Sequence, residues 1–406
     1  MISTEKIIEI ADKYSTPMYI FDIDVLRSRI NNMKEILGEG VNICYAMKAN
    51  PFLLDALKET VASFEVCSPG EFAICERENV PMDMIILSGV NKEKADIEHV
   101  FKKFKGAGVY TAESLRQLEL LNECAVDNKL VVDVLLRITS GNQFGMDEEL
   151  IEKIIADRDS YKGISVKGLQ CYSGTQKKKV SVPINEVKWM DEICDKLYDK
   201  YGFKAERLEY GPGLPFNYFG EDAYNNSYDM LKEFAEELEQ YKAKYEITLE
   251  MGRFIASECG VFVSEVADIK NNGGQNYCII DGGINHINYY GQTMAMKIPA
   301  YTYVAADGRI IEGYDAIKDD SLEKWTICGS LCTVGDVIVK NLPIGKPAIG
   351  DKIIFRNIGA YSVTEGIYLF LSRRMPVIAA YTEADGVTIY RDMKPSDVIN
   401  SRSQVL

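Results

Sequence analysis

Two residues at the ends of predicted strands have the side chains needed to bind an aldehyde cofactor. Lys48 follows the apolar segment VNICYAM, and an amine in that position can lose its proton and form a Schiff base with an aldehyde. Glu250 lies at the end of the segment EITLEMG, where a buried carboxylate needs a partner such as a protonated pyridine nitrogen. A surface lysine and an ordinary salt bridge are the alternatives for these two residues.

Glycine-rich turns after two predicted strands could bind a phosphate group. Gly211 and Gly213 form the turn GPG, while Gly252 and Arg253 follow Glu250. Glycine lets backbone N–H groups approach phosphate oxygens closely, and an arginine adds positive charge. The same glycines would also suit a plain tight turn, so both interpretations stay open at this point.

An aromatic ring, a thiol and a phenol complete the set of candidate side chains. Tyr172, in the segment CYSGTQ, could stack on a planar cofactor, and Thr175 could bond a phosphate oxygen. Cys332 and Tyr361 lie in glycine-containing turns, which suggests that they are exposed. Core packing of the Tyr172 ring and an inert lone cysteine are the alternatives. Together with the amine, the carboxylate and the phosphate cradle, these groups predict a pyridoxal 5'-phosphate site.

Eight short apolar segments, rich in β-branched residues, alternate with helical patterns up to residue 252. They lie at 41–47, 63–67, 84–88, 108–112, 131–138, 163–172, 207–211 and 246–252. This alternation predicts an α/β fold with a (β/α)₈ TIM barrel, and an open doubly wound sheet is the alternative. A barrel places its catalytic residues at the C-terminal ends of its strands, where most of the candidates lie.

The pattern changes at about residue 262. Strands separated by Gly, Asn, Pro and Asp follow, with little helical periodicity, which predicts a C-terminal all-β domain. The early segment TPMYIFD has the composition of a strand and could complete this domain. The predicted domains are therefore a cofactor-binding barrel at 25–262 and a discontinuous β-domain at 1–24 and 263–406.

The composition excludes several classes of function. A formal net charge of −15 disfavours binding to nucleic acid or to an anionic membrane, since both need a basic surface. The ten cysteines are scattered, as in a reduced cytoplasmic protein, and with two histidines in all we expect no metal site. The acidic start lacks the features of a signal peptide, and no apolar run is long enough for a membrane span, so we expect a cytoplasmic location.

The order and spacing of short motifs resemble those of the fold-type III pyridoxal-phosphate decarboxylases, the diaminopimelate and ornithine decarboxylase group with the alanine-racemase fold. The resemblance runs nearly from end to end. The motifs that carry it are YAMKAN, FEVCSPGE, QFGMDE, CYSGTQ, YGPG, EMGR, CGSLCTVGD and GAY. It implies the barrel with its β-domain and the decarboxylation of an α-amino acid.

The resemblance also implies a role for each candidate residue. Lys48 would hold the cofactor aldehyde, Glu250 would bind the pyridine nitrogen, and Tyr172 would stack on the ring in place of the family histidine. Cys332 would enter the site of a partner subunit and help to return a proton after CO₂ leaves, which implies a homodimer with shared sites. The residues around the phosphate would be Thr175, Gly211, Gly213, Gly252, Arg253 and Tyr361.

The match departs from diaminopimelate decarboxylases where they bind substrate. Those enzymes follow the cysteine with an acidic residue, whereas this chain has Thr333, and the segment 285–292 lacks their arginine. Lost polar contacts change specificity strongly, so the substrate need not be free diaminopimelate. The motif details are similar to the subgroup that decarboxylates a glutamyl group on a carrier protein. Candidate substrate contacts are Thr333, His286 and Asp336.

Two basic clusters, Lys177–Lys179 and Arg373–Arg374, could contact the phosphopantetheine or a helix of an acidic carrier protein. Solvated surface charge is the alternative for both clusters. An amino-acid racemase and an ornithine, lysine or arginine decarboxylase are alternative functions. A non-enzymatic paralogue is a further one, although Lys48, Glu250 and Arg253 are all present.

Overall fold

The structure is a computed structural model that describes residues 2–219, 228–312 and 316–402. Its strands, numbered in chain order, are β1 (Met18–Asp22), β2 (Val41–Ala46), β3 (Ser63–Val66), β4 (Ile85–Leu87), β5 (Val109–Ala112), β6 (Val132–Arg137), β7 (Ile164–Tyr172), β8 (Arg207–Gly211), β9 (Glu246–Met251), β10 (Gly260–Asn272), β11 (Gln275–Ile280), β12 (Tyr301–Val304), β13 (Ile310–Glu312), β14 (Lys324–Cys328), β15 (Val337–Pro343), β16 (Lys352–Phe355), β17 (Val377–Thr382) and β18 (Gly386–Arg391). Its α-helices are α1 (Thr4–Tyr14), α2 (Ile23–Leu37), α3 (Leu54–Leu57), α4 (Pro69–Arg77), α5 (Lys94–Phe104), α6 (Leu115–Asp127), α7 (Glu148–Ala156), α8 (Ser181–Tyr201), α9 (Asp229–Leu238), α10 (Arg253–Ala256), α11 (Ser362–Glu365) and α12 (Asp397–Asn400). No helix within the described ranges is long and apolar enough to cross a membrane.

Strands β2 to β9 are all parallel and close into a barrel, within a compact unit formed by residues 29–215 and 227–255. The closing ladder joins β9 to β2 and places Glu250 opposite Cys44. The strands are mostly buried, because a parallel barrel strand has packed side chains on both of its faces. The predicted barrel is confirmed, and each predicted strand agrees with the structure within one residue at either end.

Side-chain caps determine where barrel helices begin. They also hold the loop between a helix and the strand before it in one conformation. Ser68 caps α4 by accepting a hydrogen bond from the N–H of Glu71 at 3.2 Å, while the Glu71 carboxylate accepts the N–H of Cys67 at 2.7 Å. Pro69 occupies the first turn, where an N–H is not needed. This reciprocal arrangement holds the residues that follow β3 in one conformation.

The second compact unit is formed by residues 1–28, 216–226 and 256–406. Its main sheet has the order β13-β12-β16-β10-β1-β17-β18, and β11, β14 and β15 continue from β10. β1 pairs antiparallel with β10 and parallel with β17, so the N-terminal strand lies inside the sheet. The predicted all-β domain, completed by an N-terminal strand, is confirmed.

Candidate active site

Lys48 lies in a tight turn that directly follows β2. A short 3₁₀ helix, Met47–Ala49, contains it, and the side chain of Asn50 accepts the N–H of Phe52 at 3.1 Å just beyond. The hydroxyl of Tyr45 donates to the Asn50 carbonyl at 3.1 Å, which ties the turn back to the strand. The lysine is therefore held at the C-terminal end of the barrel, the end at which barrel enzymes bind their substrates.

The Lys48 amine forms an ion pair with a carboxylate on the neighbouring strand. Its Nζ lies 2.7 Å from Glu65 Oε2 and 3.8 Å from Cys67 Sγ, and that thiol donates to Glu65 Oε1 at 3.2 Å. The Glu65 side chain is 4% exposed and that of Lys48 is 41% exposed, so solvent reaches the pair from the lysine side. Burial lowers the pKa of Lys48, but Glu65 and Cys67 raise it more, to well above its ordinary value. The amine is therefore a cation at neutral pH.

Glu250 lies at the end of β9 and is 7% exposed. The side-chain amide of Gln170, on β7, donates to both of its oxygens at 3.1 Å. Burial raises the pKa of Glu250, and the negative charge of Glu65 raises it further. Because burial and a like charge both oppose ionisation, a cationic partner at this carboxylate would be favourable.

Tyr172 ends β7, and its ring lies near the Lys48 amine. The distance from Lys48 Nζ to the ring centroid is 5.9 Å. On the next strand, a Cβ at Gly211 would lie only 2.5 Å from Tyr172 Cδ2. Glycine at this position therefore allows the tyrosine ring to keep its place, where a planar molecule could stack on it.

The loops after β7, β8 and β9 have little steric bulk and carry polar groups. Gly213 has a φ of +61°, and a Cβ there would lie 2.1 Å from the carbonyl oxygen of Gly174. A Cβ at Gly252 would lie 2.7 Å from a neighbouring side chain. Arg253 donates through Nε to Thr175 Oγ1 at 3.3 Å. Close backbone approach, a guanidinium and a hydroxyl suit a phosphate group.

Lys177 lies behind these loops and is only 8% exposed. Its Nζ lies 2.7 Å from Glu186 Oε2 and 3.1 Å from the hydroxyl of Tyr210, while Ser173 donates to the other Glu186 oxygen at 2.7 Å. The next two lysines of the chain are exposed. The first member of the predicted basic cluster is thus engaged inside the barrel unit, whereas the next two are exposed to solvent.

Several polar residues of this site were not among the predicted ones, and some of them lie within strands, where the strand-end rule does not look. They are Glu65, Cys67, Glu113, Arg137, Gln170 and Glu209. Two of them form a buried ion pair, with 2.9 Å between Arg137 NH1 and Glu113 Oε1. The period-two alternation of a strand would have found most of the others, since a Glu or Gln inside an apolar barrel strand must be buried in the barrel or among its helices.

Cys332 and Thr333 lie in an exposed loop between β14 and β15, in the second compact unit. Asp336 supports this loop from within, because its carboxylate accepts the N–H of Leu331 at 2.7 Å and that of Ile284 at 2.8 Å. Asp336 is 2% exposed, and these partners are backbone groups. The thiol is thus presented to solvent by a braced turn.

Two further candidates in this unit have unusual surroundings. His286 is 2% exposed, its Nε2 lies 3.3 Å from the carbonyl oxygen of Arg374, and burial lowers its pKa to about 4. Its imidazole is therefore neutral at physiological pH. Tyr361 has a φ of +68° and a ψ of −53°, a region that non-glycine residues rarely occupy. Strain of this kind concentrates at functional sites.

A cavity of about 550 Å³ lies in the same unit, beside the turn that follows Cys332. Its wall combines the polar side chains of Asn288 and Glu365 with the apolar side chains of Ile287 and Val334. No arginine is among the described residues that line it. The cavity can therefore accommodate a mixed polar and apolar group, and the cationic side chain in its described lining is Lys340 rather than an arginine.

The barrel unit has the groups that pyridoxal phosphate requires. Lys48 is placed for the aldehyde, Glu250 for the ring nitrogen, Tyr172 for the ring face, and the loops around Gly213 and Arg253 for the phosphate. The buried Glu250 is the observation that tests this fit, because burial and the nearby Glu65 charge raise its pKa and make a cationic ring nitrogen a favourable partner. The residues present fit the cofactor.

Comparisons with known proteins agree with this interpretation. The family model described as "Pyridoxal-dependent decarboxylase, pyridoxal binding domain" matches residues 23–257, more than half of the chain. The L-glutamyl-[BtrI acyl-carrier protein] decarboxylase of Niallia circulans is 23% identical over 428 positions, covering 98% of this chain and 96% of that protein. The diaminopimelate decarboxylase of Aquifex aeolicus is 25% identical over 376 positions, covering 87% and 84%.

A solved structure shares the fold over nearly the whole length. The diaminopimelate decarboxylase of M. jannaschii, in complex with L-lysine, superposes with a TM-score of 0.82 at 23% identity, covering 98% of this chain and 94% of that one. The family match and the fit of the site lead to one conclusion. The chain belongs to the pyridoxal-dependent decarboxylases, and its cofactor is pyridoxal 5'-phosphate.

Proposed function

We propose that this amino-acid decarboxylase acts on an aminoacyl group linked to a carrier protein rather than on free diaminopimelate. The observation that carries the proposal is the loss of both distal contacts, with Thr333 in place of an acid and no arginine in the segment 285–292. The adjacent cavity, whose described lining contains no arginine, supports it. A thioester-linked substrate has no free distal carboxylate, so it needs no such contact.

The residues of the chain would divide the work as follows. The cofactor, when bound, supplies a ring that accepts the electrons released as CO₂ leaves. Lys48 would hold the cofactor through its aldehyde, and Glu250 would keep a proton at the ring nitrogen. Thr175 and Arg253 would bind the phosphate. Cys332 of a partner subunit returns a proton to the substrate α-carbon.

The substrate proposal is tested by measuring CO₂ release from single substrates. The set comprises free diaminopimelate, ornithine, lysine, arginine and glutamate, with glutamyl-pantetheine and a glutamyl carrier protein as the thioesters. We expect the thioesters to have the highest kcat/KM. Equal or faster turnover of free diaminopimelate would contradict the carrier proposal, and turnover of ornithine or lysine alone would favour the basic amino-acid alternative.

The exposed lysines after β7 are expected to matter only for a carrier-linked substrate. Changing Lys178 and Lys179 to alanine should raise KM for the carrier protein by roughly 2- to 30-fold. This range follows because each of the two lost exposed charge pairs contributes about 0.2–1 kcal/mol. KM for glutamyl-pantetheine should stay the same, because that substrate has no acidic protein surface. The matched control changes Lys102 and Lys103, which are exposed on α5. An identical effect in the control would remove the docking role.

Attachment of the cofactor is expected to accelerate as pH rises. A protonated amine cannot attack an aldehyde, and Glu65 helps to keep the pKa of Lys48 above its ordinary value. Glu65→Gln removes this anion, burial then lowers the pKa of Lys48, and attachment at neutral pH should become faster. The measurement is the rate at which the absorbance of the lysine-bound cofactor grows after pyridoxal phosphate is added to the apoprotein. It is made between pH 6 and 10, roughly the range from the ordinary histidine pKa to the ordinary lysine pKa. Glu59→Gln, at an exposed position, is the control. Slower attachment of the Glu65 variant at every pH would contradict the prediction.

The protein would act as a homodimer with shared sites. The exposed Cys332 loop, the fully exposed Val334 and the half-exposed run Leu369–Leu371 support this, because apolar surface of this kind marks interfaces. Mixing Lys48→Ala subunits with Cys332→Ala subunits should restore activity, since one site of the hybrid then has both groups intact. If the subunits exchange and the mixed dimers still show no activity, Lys48 and Cys332 belong to the site of the same chain.

The remaining alternatives have less support. The relatives reported above are decarboxylases, and they give no support to a racemase. A cytoplasmic location is part of the proposal, since all ten cysteines are free thiols.

A further inference from the structure

Three neighbouring strands of the barrel place polar side chains side by side in its interior. Gln170 on β7 pairs in register with Glu209 on β8, and Glu209 in turn lies opposite Thr248, two residues before Glu250 on β9. Gln170, Glu209 and Glu250 are 1%, 2% and 7% exposed. Glu209 was not among the predicted site residues, and the roles proposed above do not use it.

The hydrogen bonds in this group are compatible with only one ionised carboxyl. Gln170 donates to both oxygens of Glu250, so Glu250 acts as an acceptor. The Glu209 carboxyl lies beside that of Glu250, on the neighbouring strand. Two carboxyl groups can share a hydrogen bond only if one of them is protonated. The other oxygen of Glu209, Oε1, is buried and has no hydrogen-bond partner among the described residues.

The surrounding charges decide where the proton resides. The charged and titratable groups that face Glu209 are Glu250 on β9, Glu65 on β3, Cys44 on β2 and Arg207 on its own strand. Burial raises the pKa of Glu209 well above its ordinary value, and Glu250 raises it further. The pKa of Glu250 is raised as well, first by burial, but Glu209, Lys48 and Gln170 lower it. Gln170 donates to both oxygens of Glu250, whereas Glu209 Oε1 has no partner among the described residues, so we assign the proton to Glu209.

We propose that Glu209 is a neutral carboxylic acid at physiological pH. Its O–H donates a hydrogen bond to Glu250, so that the pair carries a single negative charge. Glu209 is then a positioning residue. With Gln170 it supplies the donors that orient Glu250 and reduce its basicity. A carboxylate that already accepts hydrogen bonds can pair with a protonated ring nitrogen without removing its proton.

Infrared spectroscopy of the purified full-length protein tests the protonation directly. At neutral pH, with and without pyridoxal phosphate, the wild type should show the carbonyl stretch of a buried carboxylic acid, and Glu209→Gln should lack it. Glu206→Gln, which changes an exposed neighbour just before β8, should keep the band. A band that persists in Glu209→Gln, or that is absent from the wild type, would overturn the proposal.

Cofactor affinity separates positioning from packing. Glu209→Gln keeps a donor for Glu250 and should bind pyridoxal phosphate within about 3-fold of the wild type. Glu209→Leu has no donor and should bind it roughly 10- to 100-fold more weakly, as expected for one hydrogen bond to a charged group. Equal weakening in both variants would contradict the donor role, and if the leucine variant fails to fold, the infrared band of the glutamine variant still decides.

The pH dependence of stability is a third measure with a defined sign. A carboxyl whose pKa is raised in the folded state destabilises the fold as pH rises above the ordinary carboxyl pKa. Glu209→Gln should therefore be more stable than the wild type at neutral pH, and the difference should vanish at acidic pH. None of these measurements requires turnover. A protein with the acid band but no decarboxylation would thus contradict the proposed function and leave the carboxyl pair intact.

Discussion

Replacing Lys48 by alanine is expected to abolish the absorbance of the lysine-bound cofactor and to reduce decarboxylation by at least about 10²-fold, the lower end for a positioned acid–base group. Lys48 is held at the end of its strand by the turn that joins Tyr45 to Asn50. Absorbance spectra and CO₂ release on the same samples measure both effects.

The same change should also destabilise the protein through Glu65. That carboxylate is 4% exposed and loses its cation, which should cost roughly 1–3 kcal/mol, less than the 3–5 kcal/mol of a fully buried pair because solvent reaches Lys48. In the wild type Lys48 outweighs burial and lowers the pKa of Glu65. Without Lys48 burial raises it, so the loss of stability should be largest at neutral pH and shrink on acidification.

Lys48→Arg separates the two roles of the lysine. A guanidinium keeps a charge beside Glu65 but does not form a Schiff base with the cofactor. This variant should therefore recover most of the stability and none of the cofactor absorbance. An arginine variant that still shows the absorbance, or an alanine variant that keeps near-normal turnover, would show that the cofactor is held elsewhere.

Replacing Glu250 by alanine is the change with the second largest expected effect. Lys48 remains, so the absorbance of the bound cofactor should persist, while decarboxylation should fall by about 10²–10³-fold, the size seen when one group that stabilises developing charge is removed. The reason is that the ring nitrogen loses the carboxylate that holds its proton, and the ring accepts electrons less well. Single-turnover CO₂ release at saturating cofactor isolates this chemical step.

Glu250→Asp is the matched control, because it keeps the charge and shortens the side chain by one methylene. It should retain more activity than the alanine variant. Loss of the cofactor absorbance in Glu250→Ala even at saturating cofactor would mean that Glu250 is required for attachment of the cofactor, beyond the weaker affinity expected when its contacts are disturbed. Activity within a factor of two of the wild type in both variants would remove its role.

The barrel strands could be predicted nearly to the residue, whereas the edges of the second unit could not. A barrel strand is apolar on both faces, so its run of β-branched residues stands out, as in Arg207–Gly211, where prediction and structure coincide. By contrast, β12, β13 and β18 do not stand out in the sequence. β13 has three residues and β12 has four, too few for a clear alternation.

The site could be predicted from the sequence where a reactive side chain lies at the end of a strand. The structure places Lys48, Tyr172 and Glu250 together because strand order and register follow from the barrel. Glu65 and Glu209 lie within strands, among apolar neighbours, and only a test of alternation would have found them. Lys177 could not be distinguished from Lys178 in the sequence, since its burial depends on Glu186, a residue of a different element.

The position of β1 inside the main sheet has a consequence for how the chain is made. Its two partners, β10 and β17, are synthesised only after all eight barrel strands. The first strand must therefore wait, unpaired, while more than two hundred residues form an independent fold between it and its nearest partner. Apolar positions such as Met18 and Ile20, buried in the finished sheet, are open to chaperones during that interval.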